Sequence, residues 1–163
     1  LNILGKHTLG HIRTTLNQFI IKIKMEGVGR FIEYDTYGKI IYSNEEFYSL
    51  YKQALIQAEI FRGNYGKILH KLVRFEYVNT FTHFFETDEY QIGLHMAYTI
   101  LYFDKDAGII SLIRMTPFEF IKKYEILIEK HGHRPIVSLT RIKGIIDYKS
   151  LLESFAHAIG RLR

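Results

Sequence analysis

The pattern in the sequence that most resembles a metal-binding site is a pair of histidines separated by one glycine, His131-Gly132-His133. Neutral imidazole is a common ligand of Zn²⁺ and other divalent ions, so the pair could supply two ligands. It stands at the end of a helical pattern, where histidine interacts favourably with the helix dipole and glycine suits the position after the last turn. We therefore predict a helix C-terminus here and no metal site.

Three aspartates, Asp35, Asp104 and Asp106, could together form an oxygen-rich site for a hard cation. The segments that hold them also run to a glycine, Gly38 in the first case and Gly108 in the second. Aspartate commonly begins a turn, and glycine supplies the positive φ that closes one. We interpret both segments as turns rather than as parts of a carboxylate cluster.

Other patterns that carry chemistry are missing. None of the serines stands in a Gly-x-Ser-x-Gly segment, and Gly63–Lys67 lacks the Ser or Thr that follows the lysine of a phosphate-binding loop. His83 and His95 have apolar neighbours, and we interpret them as core or sheet-edge residues. The chain has no cysteine, which excludes disulfides, thiolate metal sites and a cysteine nucleophile. We therefore predict a protein that is not an enzyme and needs no metal or cofactor.

The positive charge is concentrated near the C-terminus. Residues 1–129 hold 15 basic and 15 acidic residues, whereas residues 130–163 hold seven basic and two acidic residues. A basic segment attracts phosphates, anionic lipid or an acidic protein face, although it can also be a solvated tail. The candidate residues for binding an anionic partner are Arg134, Arg141, Lys143, Lys149, Arg161 and Arg163.

Length and composition indicate one globular domain, since 163 residues with a hydrophobic fraction of 47% can bury a sizeable core. No run of about 18 apolar residues is present, so no transmembrane segment is expected. The first residues lack the apolar stretch of a signal peptide. Together with the absence of cysteine, this leads us to expect a cytoplasmic protein.

Helical and strand-like patterns alternate along the chain. Apolar residues recur at helical spacing over residues 9–25, 44–62 and 117–131, and over a last helix that Asp147 caps and that extends to Ile159. Residues typical of β-strands dominate 31–43, 68–103 and 136–142, whereas 109–115 fit either a strand or a helix. These patterns predict an α+β fold with a mostly antiparallel five-stranded sheet packed by helices. Residues 1–132 would form this domain, and residues 133–163 would form a basic C-terminal β/α extension that packs on it or projects from it.

Local signals mark the ends of three helices. Ser43 with Glu46, and Thr116 with Glu119, have the spacing of a capping box, in which each side chain bonds the other residue's backbone N–H. Gly27 suits the left-handed position that follows a helix, and it would end the first helix.

Two segments carry a family resemblance. GVGRFIEYDTYGKIIYS, residues 27–43, resembles the start of Roadblock/LC7 domains, and TILYFDKDAGIISLIRM, residues 99–115, is similar to the last strand and Asp-x-Asp-Ala corner of that family. A strand at 109–115 would be closer to the related longin arrangement. The element order matches over roughly residues 9–130.

The resemblance implies a non-enzymatic module that forms a homodimer and regulates or scaffolds a small Ras-like GTPase. The helix over residues 44–62 would then be the dimer or partner interface. The candidate interface residues on it are Phe47, Leu50, Tyr51, Leu55 and Phe61.

Two alternatives remain open. FIEYDTYGKIIYSNEEFYSLY, residues 31–51, also resembles the first hairpin and helix of PAS sensors, which hold a small ligand between a sheet and helices. The basic C-terminal segment instead favours a nucleic-acid-binding protein, whose affinity would fall steeply with salt.

Overall fold

The computed structural model describes residues 3–73 and 89–139. They form five helices, which are α1 (Ile3–Thr36), α2 (Asn44–Val73), α3 (Glu89–Phe103), α4 (Ile109–Arg114) and α5 (Pro117–Lys130). None of the residues in these two ranges belongs to a strand. The predicted α+β class, its five-stranded sheet and the longin-like architecture are therefore wrong for the described part of the chain.

The predicted hairpin over residues 31–43 is instead the end of α1 and the loop that follows it. The predicted first helix covers residues 9–25, whereas α1 continues to Thr36. The β-branched and aromatic residues in this last part of α1 stay helical because the helix buries them, with Val28 and Phe31 almost fully enclosed by the core. Tertiary packing of this kind overrides a local preference for strands.

The turn after α1 is confirmed. Gly38 has φ +66°, and its N–H donates to the Asp35 carbonyl at 2.9 Å. The Lys39 N–H donates to the Tyr34 carbonyl at 2.8 Å, so backbone hydrogen bonds close the turn. Asp35 therefore begins a turn, as its distance from the glycine predicts.

Helix α3 is the centre of the fold and packs against α1, α2 and α5. The residues from Ile92 to Ile100 are all buried. The prediction of strands over residues 68–103 is wrong for 68–73, which belong to α2, and for 89–103, which form α3. Residues 74–88 lie outside the described residues. Because α3 is buried on every side, its apolar residues are not confined to one face. It therefore lacks the one-sided apolar pattern by which a helix is recognised in a sequence.

The backbones of Gly27 on α1 and Gly93 on α3 approach each other closely in the core. A Cβ atom built on Gly27 would collide with the Gly93 backbone, and one built on Gly93 would collide with the Ile23 carbonyl. Gly27 therefore does not end α1 as predicted. It is a helical residue whose missing side chain lets two helices touch.

The two predicted capping boxes have different outcomes. At Thr116 the box is confirmed, because its hydroxyl accepts from the Glu119 N–H at 3.2 Å and the Glu119 carboxylate accepts from the Thr116 N–H at 2.8 Å. At Ser43 only half of it forms. The Ser43 hydroxyl accepts from the Glu46 N–H at 3.1 Å, whereas the Ser43 N–H donates to the Tyr98 hydroxyl. Helix α2 starts where predicted but continues past residue 62 to residue 73.

The loop between α3 and α4 is a turn, as predicted. The Asp104 carboxylate accepts from the Asp106 N–H at 3.1 Å and forms an ion pair of 2.6 Å with Lys123 on α5. These contacts lower the pKa of Asp104, and the Lys123 hydrogen bond is the largest cause. The following residues form the short helix α4, so of the two structures predicted for residues 109–115 the helix is the one observed.

The segment after α5 folds back onto the bundle. Ile136 is buried against Ala54 and Ala58 of α2, and the Glu125 carboxylate on α5 accepts from the Ser138 hydroxyl at 2.6 Å. The strand predicted over residues 136–142 is wrong for 136–139, and residues 140–142 lie outside the described residues. The last predicted helix, which Asp147 would cap, lies outside them as well. None of the helices described here is long and apolar enough to cross a membrane.

Candidate interaction surface

The solvent-exposed side of α2 carries three exposed aliphatic side chains. Leu55, Ile56 and Ile60 are 37%, 59% and 39% exposed. The opposite face holds Ala54 and Ala58, which are buried under Ile136. We call the exposed residues Leu55, Ile56 and Ile60 the α2 apolar patch. Ile56 and Ile60 are neighbours at a spacing of four residues, whereas Leu55 lies about 100° around the helix from Ile56. Apolar side chains grouped on the solvent side of a helix are typical of a surface that binds a partner.

Charged residues of both signs share this face. At a rotation of about 100° per residue, the charged residues Glu45, Lys52, Glu59 and Lys67 lie within a stripe about 80° wide that also holds Ile56. All four of these charged side chains are exposed. Glu59 already pairs with Arg62 at 2.8 Å, one turn further along the helix. The apolar patch is therefore accompanied by alternating negative and positive charge.

The five predicted interface residues do not form one surface. Phe47 and Leu50 are buried in the core, and only Leu55 belongs to the exposed patch. The Tyr51 hydroxyl donates to the Arg134 carbonyl at 2.9 Å, and Phe61 stacks on Phe19 of α1 at 4.7 Å between ring centroids. Four of the five side chains therefore pack within the chain itself.

Sequence reasoning missed Ile56 and Ile60. Their spacing of four residues places them together on a helix, and that signal is present in the sequence. The more regular apolar stripe on the same helix, which includes Phe47, Leu50 and Ala54, is the stronger signal and predicts the interface instead. In the structure these residues are buried and pack α2 on its neighbours.

A cluster of aromatic rings and histidines joins α2, α3 and α5. His95 is completely buried, and its ring lies 5.7 Å from Phe47 and 5.5 Å from Tyr124 between centroids. The Tyr124 hydroxyl accepts from the Ile136 N–H at 3.0 Å, and it lies 3.1 Å from His95 Nε2. The Tyr124 hydrogen can therefore be donated to Nε2. Among the described residues, His95 Nδ1 has no hydrogen-bond partner.

Burial controls the charge state of this cluster. Loss of solvent, with a smaller contribution from His133, lowers the pKa of His95 to about 3. Burial also raises the pKa of the Tyr124 hydroxyl. Both groups are therefore neutral near pH 7. A neutral histidine packed against the rings of Tyr51 and Tyr124 is typical of a core residue.

The histidine pair forms the predicted end of α5. His131 is the C-terminal cap, Gly132 has φ +81°, and the His131 ring stacks on Phe103 at 3.8 Å between centroids. The His133 ring instead faces Phe47 at 5.1 Å. No group of three or more acidic or histidine side chains in the described residues could hold a metal ion.

Of the six predicted anion-binding residues, the structure describes only Arg134, which follows α5. Arg141, Lys143, Lys149, Arg161 and Arg163 lie outside the described residues, so the basic surface stays a prediction.

Comparison of the chain with protein-family models, with curated proteins and with solved structures finds no match.

Proposed function

We propose that this protein is a non-enzymatic helical interaction module that forms a homodimer through the exposed face of α2. The α2 apolar patch is the observation that supports this proposal. Its three aliphatic side chains remain exposed on a helix whose opposite side is buried in the bundle.

The arrangement of charge favours a second copy of the same chain as the partner. A two-fold axis between residues 55 and 56 would pair two α2 helices in antiparallel fashion. Lys52 of each copy would then face Glu59 of the other, and Glu45 would lie close to Lys67. Such a self-complementary face is the requirement of a two-fold dimer. The opposed helix dipoles add a small favourable contribution.

The expected dimer is weak. Burying a fully exposed Leu or Ile side chain contributes about 2 kcal/mol, and the patch is only partly exposed, so each copy gains roughly 3 kcal/mol. Exposed ion pairs add about 0–1 kcal/mol each. Association itself costs at least about 4 kcal/mol, so the net gain is roughly 4 kcal/mol and we expect a dissociation constant of about 1 mM or somewhat tighter.

Sedimentation equilibrium over a wide range of protein concentration tests the proposal. We expect a reversible monomer–dimer equilibrium that is weakened at least about tenfold by Ile56→Asp, because the charge would be buried at the centre of the interface. The matched control is Ile126→Asp on α5, where an equally exposed isoleucine at 55% lies outside the patch. A chain that remains monomeric at about 1 mM would refute the dimer.

A charge exchange tests the orientation of the two helices. Lys52→Glu and Glu59→Lys should each weaken the dimer, whereas the double variant should restore it because the pairs are re-formed with opposite sign. If the single variants and the double variant associate equally well, the antiparallel pairing is wrong.

The Ras-like GTPase partner and the PAS-like sensor are implied by resemblances to folds built on sheets. No strand occurs in the described ranges, so we assign the function to the α2 surface and infer no GTPase partner.

A further inference from the structure

A cleft of about 320 Å³ lies where the end of α1 meets the loop between α3 and α4. Its lining combines an acidic side chain, a basic side chain and apolar surface, from Asp35, Lys105, Tyr42, Leu101 and Ile109. The volume is at the lower end of the range for small-molecule sites, so a ligand would be small. The cleft shares no residue with the α2 apolar patch.

Two sets of contacts hold the walls of the cleft in place. On one side, the Tyr98 hydroxyl donates to the Ile41 carbonyl at 2.7 Å, and the Tyr42 ring stacks on Tyr98 at 5.6 Å between centroids. On the other side, the ion pair between Asp104 and Lys123 fixes the loop that carries Lys105. A site held in shape before binding loses little entropy when a ligand arrives.

The two charges in the cleft are available to a ligand. Asp35 and Lys105 are both exposed, and they do not form an ion pair with each other. Within the described residues, the Lys105 ammonium faces the Tyr102 ring at 5.5 Å, and no ion pair or hydrogen bond of the Asp35 carboxylate is present. Burial, together with the Asp35 carboxylate, raises the pKa of the Tyr42 hydroxyl, which is therefore neutral and able to donate.

We propose that this cleft binds a free α-amino acid with an apolar side chain. Its ammonium group would pair with Asp35 and its carboxylate with Lys105. Its side chain would lie against Leu101, Ile109 and the Tyr42 ring. A zwitterion meets both charges at once, whereas a simple anion or a simple amine leaves one of them unsatisfied.

Titration calorimetry with L-leucine tests this proposal on the full chain. We expect leucine to bind, with N-acetyl-leucine and leucinamide each at least about tenfold weaker because one charge is missing from each. Glycine should also bind more weakly, since it lacks the apolar side chain. Absence of leucine binding at about 10 mM, or equal binding of N-acetyl-leucine, would overturn the proposal.

Variants assign the two charges. Asp35→Asn should weaken the binding of leucine and leave the binding of N-acetyl-leucine unchanged, because that compound has no ammonium group. Lys105→Gln should weaken the binding of leucine and leave the binding of leucinamide unchanged, because that compound has no carboxylate. Asp106→Asn is the control because this exposed aspartate lies in the same loop without lining the cleft. If Asp106→Asn lowers the affinity for leucine as much as Asp35→Asn does, then the net charge of the region explains the binding and the proposed site is refuted. The same variants should also be examined by sedimentation equilibrium. Because the cleft shares no residue with the α2 apolar patch, we expect their monomer–dimer equilibrium to be unchanged, so loss of leucine binding and loss of the dimer can be told apart.

Discussion

Acid should destabilise this protein through His95. The histidine is enclosed by Phe47 and Tyr51 of α2, by Tyr124 of α5, and by His133 in the segment after α5. Its pKa is about 3 in the folded protein and 6.5 when exposed to solvent. Below pH 6.5 the unfolded chain therefore binds a proton that the folded chain does not. Stability falls as the pH decreases from 6.5 towards 3 and is unaffected by this residue above 6.5.

The size of the effect follows from this pKa difference. Each pH unit below 6.5 costs about 1.4 kcal/mol of unfolding free energy, so the loss at pH 4.5 is about 3 kcal/mol. Domains of this size are stable by roughly 5–15 kcal/mol, so the loss is large enough to measure.

Urea unfolding at several pH values, followed by circular dichroism, measures this dependence. His95→Gln removes the titrating ring and keeps an acceptor for the Tyr124 hydroxyl. Between about pH 4.5 and 6.5, we expect the slope of its unfolding free energy against pH to be smaller than that of the original protein by about 1.4 kcal/mol per pH unit.

Tyr124→Phe is the matched control, because it keeps His95 buried and should retain the steep dependence. Carboxylates such as Asp104 titrate in all three proteins, so comparing the slopes isolates the histidine. Parallel profiles for the original protein and His95→Gln would refute the reasoning.

Two further predictions concern the helices. Gly27→Ala should destabilise the fold by several kcal/mol, because its new methyl group collides with the Gly93 backbone, whereas Gly29→Ala on the same helix should be neutral or stabilising by up to about 1 kcal/mol. Thermal unfolding of both variants checks this, and equal destabilisation would contradict it. Thr116→Ala should cost about 1 kcal/mol in urea unfolding, because the Glu119 N–H loses its acceptor, and Thr116→Ser should restore most of that loss.

Local features of this protein are easier to predict from the sequence than its fold. The cap at Thr116, the start of α2 at Asn44 and the turn at Asp104 are all evident, because each depends on side chains within a few residues. The predicted class of the fold is wrong because apolar runs such as the one in α3 have no one-sided pattern, so a buried helix and a central strand look alike.

The candidate surface is only partly predictable for a related reason. Leu55 is among the predicted interface residues, but which side of α2 faces solvent depends on the neighbours that cover Phe47 and Leu50. Those neighbours are distant in sequence. The stripe that most resembles an interface is the one that packs the helix on its own core.

The contact between Gly27 and Gly93 also limits how the bundle can move. Sliding α3 along α1 by one turn, about 5.4 Å, would place Glu89 or Ala97 opposite Gly27, where only a hydrogen fits. The glycine pair thus acts as a stop against translation but leaves small rotations about the contact sterically open. A movement of α3 relative to α1 would therefore have to be a tilt or a twist about this contact rather than a shift along the helix axis.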